Sequence, residues 1–180
     1  KRTLDFSVSF IGLLFFAPIL FPVIFIVWIQ DFKSPFYIPL RVGKNGKLFK
    51  MIKLRSMIVN ADSSGVDSTG LNDERITRIG KIIRRFKLDE LSQLWNVLIG
   101  DMSLVGPRPN VKKETDLYTD IENDLFSVKP GITGLWQVSG RNNLTYKRRI
   151  NLDCIYVNNI NTITDLRILI RTFGVILFPN

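Results

Sequence analysis

The chain of 180 residues contains no histidine and a single cysteine, Cys154. Without an imidazole there is no Ser-His or Cys-His nucleophile, since no base stands ready to take the proton of a hydroxyl or thiol. One thiol forms no internal disulfide, and a zinc site lacks its usual ligands. Acidic residues are also few relative to basic ones, 16 Asp and Glu against 25 Lys and Arg, which leaves a net charge of +9. Such a surplus points to a polyanionic partner: nucleic acid, an anionic membrane surface or phosphorylated substrates. Any chemistry must run on carboxylates, on a metal held by oxygen ligands, or on lysine.

Charge is missing altogether from Phe6 to Ile29, 24 residues. As a helix this run would be about 36 Å long, enough to cross a hydrocarbon core of ~30 Å. A signal-peptide core is shorter, about 7–15 residues, and a helix apolar all round has no face to offer to water. Two membrane geometries compete. A spanning helix is the default by length. A re-entrant helix, which enters and turns back, is favoured by Pro18 and Pro22, each of which deletes a helical hydrogen bond and introduces a kink. Cations also flank both ends, Lys1 and Arg2 before and Lys33, Arg41, Lys44 and Lys47 after, whereas a crossing helix usually shows a Lys/Arg bias to one side.

Beyond the apolar run, Phe36–Val42 and Leu48–Leu54 flank "GKNGK". Asn45-Gly46 predicts the tight turn of a β-hairpin, with Pro39 marking an edge strand. "NADSSGVDSTGLND", Asn60 to Asp73, reads as a polar surface loop. A helix capped by Asp73 should follow, with Ile76, Ile79, Ile83 and Phe86 on one side and Arg75, Arg78, Lys81, Arg84 and Arg85 on the others. A second helix should carry Leu88, Leu91, Leu94, Trp95 and Leu98 and stop at Gly100. "DMSLVGPRPN" must be a turn or loop, because Pro107 and Pro109 do not fit a helix interior. Val111–Phe126 reads as an acidic helix, "VKPGITGLWQVSGR" as a glycine-punctuated loop, and two helices are expected over about 145–159 and 164–177. The last is apolar enough to lie along a membrane interface.

Asp89 and Glu90 are the carboxylates of interest. Acids on a first helical turn commonly do no more than complement the helix dipole. Yet neighbours on a helix point roughly 100° apart, so one carboxylate can react while the other holds a cation. Carboxylates are nucleophiles in aspartyl-phosphate chemistry. Mg²⁺ bound by one or two carboxylates plus substrate phosphates is the common arrangement for phosphoryl transfer, since it lets an anion attack an anion. Arg84, five residues earlier, and Arg108, held between two prolines, would serve as phosphate clamps; a solvated helix face and a simple tight turn are the plainer readings of each. Lys53 reads as a strand-edge charge. Gln137 and Arg141, beside Trp136, suit a sugar or base contact.

The ordered set "KNGKLFKMIKLRSM", "LNDERITRIGKIIRR", "KLDELSQLWNVLIGDMSLVGPRP" and "KPGITGLWQVSGRN" resembles the monotopic phosphoglycosyl transferases, the bacterial sugar transferases that work on undecaprenyl phosphate. The likeness runs through nearly all of the chain. It implies an α+β, mainly α-helical fold: a re-entrant membrane helix over residues 1–30 broken at Ala17–Pro18, then a catalytic domain over 31–180 with a small β-hairpin and interfacial amphipathic helices around the active site. The implied activity is transfer of a sugar-1-phosphate from a UDP-sugar to undecaprenyl phosphate, with release of UMP, at the start of O-antigen, capsule, exopolysaccharide or glycan synthesis. By the same resemblance Asp89 is the nucleophile that carries a covalent phosphosugar, and Asp89 and Glu90 hold Mg²⁺. Lys53, Arg84, Arg108, Gln137 and Arg141 fall in substrate-binding motifs. The implied location is the cytoplasmic face of the bacterial inner membrane, among membrane lipids and without nucleic acid; a homo-oligomer is left open. The chain departs from the family pattern with Ala17 where serine often precedes the proline, and with Ser92 where proline often follows "LDEL". A membrane-anchored basic module that binds nucleic acid or lipid without catalysis would account for the charge and the apolar run, but not for Asp89-Glu90 or Pro107-Arg108-Pro109.

Overall fold

The structure is a computed structural model that describes residues 1–61, 73–115, 118 and 124–177. The apolar run forms one helix, α1 (Arg2–Ile29), about 42 Å long. Pro18 and Pro22 lie inside it, so the expected break at Ala17–Pro18 is not seen as an interruption of the helix. A proline deletes only the bond its own N–H would have made to the carbonyl four residues earlier. The carbonyls of Leu14 and Pro18 lose that partner, while the bonds on either side hold the helix together.

Both ends of α1 dock on the rest of the protein. At its start, Lys1 Nζ donates to the Val105 carbonyl (3.0 Å) and to Asp165 Oδ2 (2.6 Å). Arg2 donates to the carbonyls of Val97 and Leu98, and Asp5 accepts from Ser103 Oγ (2.8 Å) and the Leu104 N–H (3.1 Å). Near its end, Leu20 and Val27 pack with Leu54 and Ile83, and Asp31 pairs with Arg55 at 2.7 Å. The outward face is apolar and exposed, with Phe6, Phe10, Ile11, Leu14, Phe15, Phe21 and Phe25 uncovered.

The expected hairpin is present. Strand β2 (Leu40–Val42) pairs antiparallel with β3 (Leu48–Lys50), and β1 (Phe36–Tyr37) with β4 (Lys53–Leu54). Asn45 and Gly46 turn the chain with φ of 57° and 72°, the left-handed pair that such turns need. Between the two ladders, Asn96 satisfies the hairpin backbone: its Oδ1 accepts from the Ile52 N–H (2.9 Å) and its Nδ2 donates to the Lys50 carbonyl (2.8 Å). This buried amide fixes Lys53, the next strand residue, over the helices.

Helix α2 (Arg78–Arg85) starts later than expected. Thr77, not Asp73, is the cap, its Oγ1 accepting from the Gly80 N–H at 2.9 Å. Ile76 is engaged in an extended bridge with Met57, so helical geometry can begin only after it; Asp73 pairs instead with Arg75 at 2.6 Å. The second expected helix is two, α3 (Leu88–Leu91) and α4 (Leu94–Ile99), the latter capped by Gly100 at φ 99°. Ser92 marks the division, its hydroxyl bonding the carbonyls of Ile52 and Asp89.

Strand β5 (Ser103–Val105) pairs in parallel with β6 (Gly131–Thr133), so part of the supposed loop "PGITG" is a strand. Within Val111–Phe126 the described residues include α5 (Lys112–Thr115) and a 3₁₀ turn at Asp124–Ser127, with Tyr118 stacked on Phe126; residues 116–117 and 119–123, like most of the Asn60–Asp73 loop, lie outside the described residues. Helices α6 (Tyr146–Asn158) and α7 (Thr162–Leu177) fall where the periodicity placed them. Their apolar outer residues Ile155, Ile163, Leu166, Ile170 and Phe173 are exposed. The fold is α+β and mainly helical, as expected. One core gathers Phe49, Met51, Leu94, Val97, Met102, Leu104, Val105, Tyr156 and Ile168; a second lies under α1, and Leu91 of α3 packs against both.

Candidate active site

Lys87 adopts a left-handed conformation, φ 56°, which ends α2 and restarts the chain as α3. The redirected turn sets Asp89 and Glu90 at the β4 end of the hairpin. Glu90 Oε1 lies 3.3 Å from Arg108 Nη2 and 3.8 Å from Lys53 Nζ. Asp89 Oδ1 is buried and has no hydrogen-bond partner among the described residues.

The two neighbouring carboxylates are driven apart. Burial, reinforced by the charge of Glu90, raises the pKa of Asp89 against the pull of Lys53, Lys87 and Arg84. Burial opposes ionisation of Glu90 too, but Arg108, Lys53 and Lys87 together outweigh it and hold its pKa below the usual glutamate value. The Lys53 amine is pushed down by burial and by Arg108. One carboxylate is thus spent on cations, and the other is the more basic, with its buried oxygen unpartnered among the described residues.

Arg108 is presented by a braced loop. The Gly106 N–H donates to the Thr133 carbonyl (2.9 Å) and the Gly131 N–H to the Pro107 carbonyl (2.8 Å). From behind, Asp153 of α6 accepts from the Arg108 backbone N–H. Asp153 is 5% exposed, its Oδ1 has no partner among the described residues, and burial pushes its carboxyl up to about 8. The sequence carried little sign of this: Asp153 and Tyr156 share a face of α6 by their spacing of three, but nothing local says which loop that face meets.

A testable consequence follows from the direction of that shift. The folded pKa lies above the unfolded one of about 3.9, so the folded state holds the extra proton and stability falls as pH rises between the two values. Asp153→Asn keeps the shape and an acceptor for Arg108 but does not ionise. The variant should match the wild type near pH 4 and be the more stable by up to about 5 kcal/mol near pH 8. Thermal midpoints across that range check this; a difference independent of pH would exclude titration of Asp153.

Of the residues singled out in the sequence, Lys53, Asp89, Glu90 and Arg108 come together. Arg84 acts on Asp89 through its charge while its Nε donates to Ser56 Oγ at 2.8 Å. Gln137 Nε2 bonds the Ile132 carbonyl at 3.1 Å, and its Oε1 is buried without a partner among the described residues. Arg141 reaches the Val175 carbonyl near the end of α7 at 3.4 Å, a helix terminus that favours a cation. No contact among the described residues joins Gln137 or Arg141 to the carboxylate pair. Sequence reading passed over Arg41 and Gln93, which line the cleft beside Lys53 and Arg108.

No cluster of three or more His, Cys, Asp or Glu side chains occurs among the described residues, so they offer no all-protein metal cage. The unpartnered Asp89 oxygen beside Glu90 does fit a cation such as Mg²⁺, which takes one or two carboxylates and draws its other ligands from water and phosphate.

The carboxylate pair faces cations on a fold that also carries a lipid-length apolar helix. The comparisons agree at the level of family. The bacterial sugar transferase family matches residues 1–179. The UDP-galactose-lipid carrier transferase of Erwinia amylovora is 44% identical over 194 residues, covering 98% of this chain and 40% of that protein. The undecaprenyl-phosphate galactose phosphotransferase of Salmonella typhimurium is 41% identical over 192 residues, with 98% and 40% covered. The exopolysaccharide production protein ExoY of Sinorhizobium fredii is 36% identical over 187 residues, with 96% and 83% covered. The chain belongs to the bacterial sugar transferase family. It spans about two fifths of the first two relatives' length and most of ExoY.

Proposed function

We propose that the chain transfers a sugar-1-phosphate from a UDP-sugar to undecaprenyl phosphate through a phosphosugar carried on Asp89. The observation that carries this is the division of labour on α3: Glu90 is held by Arg108 and Lys53, while the buried Asp89 oxygen is unengaged among the described residues. With Glu90 engaged by two cations, Asp89 is the carboxylate of the two left to attack phosphorus. Its oxygen attacks the sugar-bearing phosphorus, the bond to the bridging oxygen breaks, and the electron pair leaves on UMP. A phosphate oxygen of undecaprenyl phosphate then attacks the same phosphorus, the Asp89 oxygen–phosphorus bond breaks, and the carboxylate is restored. Mg²⁺ held by Asp89 and Glu90 would screen the repulsion between carboxylate and phosphates.

The lipid half of the reaction is supported by α1. Its outer face is apolar and exposed, and both its ends dock on the same body, an arrangement suited to a helix that dips into one leaflet rather than crossing. The exposed apolar side of α7 would lie at the same boundary, on the cytoplasmic face of the inner membrane. The relatives' names speak of galactose, so UDP-galactose is the first donor to try. The protein in detergent micelles should release UMP from one member of a UDP-sugar panel when undecaprenyl phosphate is present, and form the matching polyprenyl diphosphosugar. Lipid product without UMP, or no product with any donor, would overturn the proposal. Glu90→Gln should slow turnover about tenfold or more and raise the Mg²⁺ concentration for half-maximal rate; an unchanged Mg²⁺ titration would remove Glu90 from that role.

A further inference from the structure

The cleft next to Glu90 is bounded by Arg41, Lys53, Gln93 and Arg108, with Met51 and Gly131 among its lining. Lys53 and Arg108 face Glu90, and Arg41 and Gln93 line the cleft with them. Arg41 stands on β2 opposite Phe49, in a strand whose next residue, Val42, donates its N–H to the Asn110 carbonyl at 3.0 Å. That bond ties the Arg41 strand to the segment that follows Pro107-Arg108-Pro109, and Arg41 and Arg108 both line the cleft. Gln93 is one turn past Glu90, with its N–H on the Glu90 carbonyl at 3.0 Å. It is only 4% exposed and lines the cleft.

Lys53 and Arg108 face Glu90, the neighbour of the nucleophile, and Arg41 and Gln93 line the same cleft, whose lining does not include Asp89 itself. A donor diphosphate must put its sugar-bearing phosphorus at Asp89, so its second phosphate extends away from Asp89. That second phosphate gains negative charge as the bridging oxygen departs, and a guanidinium matches the charge and shape of phosphate oxygens. A buried amide beside it supplies two further N–H donors.

We infer that Arg41 and Gln93 form the subsite for the departing nucleotide phosphate of the donor, in the cleft they share with Lys53 and Arg108. The inference rests on the transfer reading above, and binding measurements separate the two. UMP, which carries the departing phosphate, is the probe. With the full chain in detergent micelles, UMP should raise the thermal midpoint of the wild type, and Arg41→Ala should lose that shift. In steady state, Arg41→Ala should raise the KM for the UDP-sugar about tenfold or more, with the KM for undecaprenyl phosphate changed less than about twofold. Arg41→Lys should recover part of the loss, because charge is kept and the planar fork is not. Gln93→Glu has the same shape but sets a like charge against the phosphate, and should also raise the donor KM about tenfold; if Arg41→Ala does not fold, Arg41→Lys and Gln93→Glu decide. Unchanged UMP binding and donor KM in these variants would overturn the subsite, as would equal rises in both KM values, which would mark a site common to both substrates. A wild type that binds UMP but transfers nothing would sink the transfer reading alone, and the loss of UMP binding in Arg41→Ala would still report the subsite.

Discussion

Asp89→Asn should reduce transfer by roughly a thousandfold or more and leave the protein at least as stable as the wild type. The two outcomes come from the same feature. Asparagine keeps the shape of the side chain, but its neutral amide oxygen is a poor nucleophile toward phosphorus. Because burial and Glu90 disfavour the charged form of Asp89 in the folded state, removing that charge relieves a cost rather than breaking a contact. The Glu90 pairs with Arg108 and Lys53 have no need of Asp89. Incubation with donor alone, followed by mass measurement of the peptide 88–91, should show added phosphosugar in the wild type and none in the variant. An active Asn variant, or a wild type that turns over with no adduct on that peptide, would remove Asp89 as nucleophile. Loss of activity together with a lowered thermal midpoint would instead mark a structural residue.

The second large effect is on the fold that holds Arg108. A Cβ on Gly131 would sit 2.1 Å from the Gly106 nitrogen, 2.5 Å from the Thr133 carbonyl oxygen and 2.7 Å from the Gly106 Cα. All three are backbone atoms, so no rotamer change relieves the contact, and strands β5 and β6 must part. Gly131→Ala should cost about 3 kcal/mol or more, seen as a fall of roughly 6 °C or more in the thermal midpoint. It should also impair the site, since the Gly131 N–H bonds the Pro107 carbonyl beside Arg108. Gly174→Ala is the control: in the interior of α7, with nothing within 4 Å of the added carbon, it should stabilise by roughly 0.5–1 kcal/mol, the helix preference for alanine over glycine. A Gly131→Ala protein that melts with the wild type would mean that β5 and β6 are not in such close contact.

The glycine pair shows why some features escaped sequence reading. "GPRP" and "PGITG" both look like turns, because glycine and proline are the residues of turns. In the structure Gly106 and Gly131 are small because two backbones meet there, a requirement set by segments more than twenty residues apart. The cap of α2 is a similar case: Asp73 and Thr77 are both good capping residues, and the bridge between Ile76 and Met57 decides between them. At Ala17–Pro18 the local rule was sound but its consequence overstated, since flanking hydrogen bonds carried the helix past both prolines.

What the sequence determined by itself was local or compositional. The uncharged run, the Asn45-Gly46 hairpin, helices α6 and α7 and the adjacent acids of α3 are each written in neighbouring residues, because turn preferences and hydropathy periods act over a few positions. The absence of histidine and the excess of cations already narrow the chemistry. Only the tertiary structure decided that Glu90 would be the carboxylate neutralised by Lys53 and Arg108, that one Asp89 oxygen would be buried without a partner among the described residues, and that Asp153 and Arg41 would stand near them. Burial and distance set the charge state of a group, and both depend on which distant segments the core brings together.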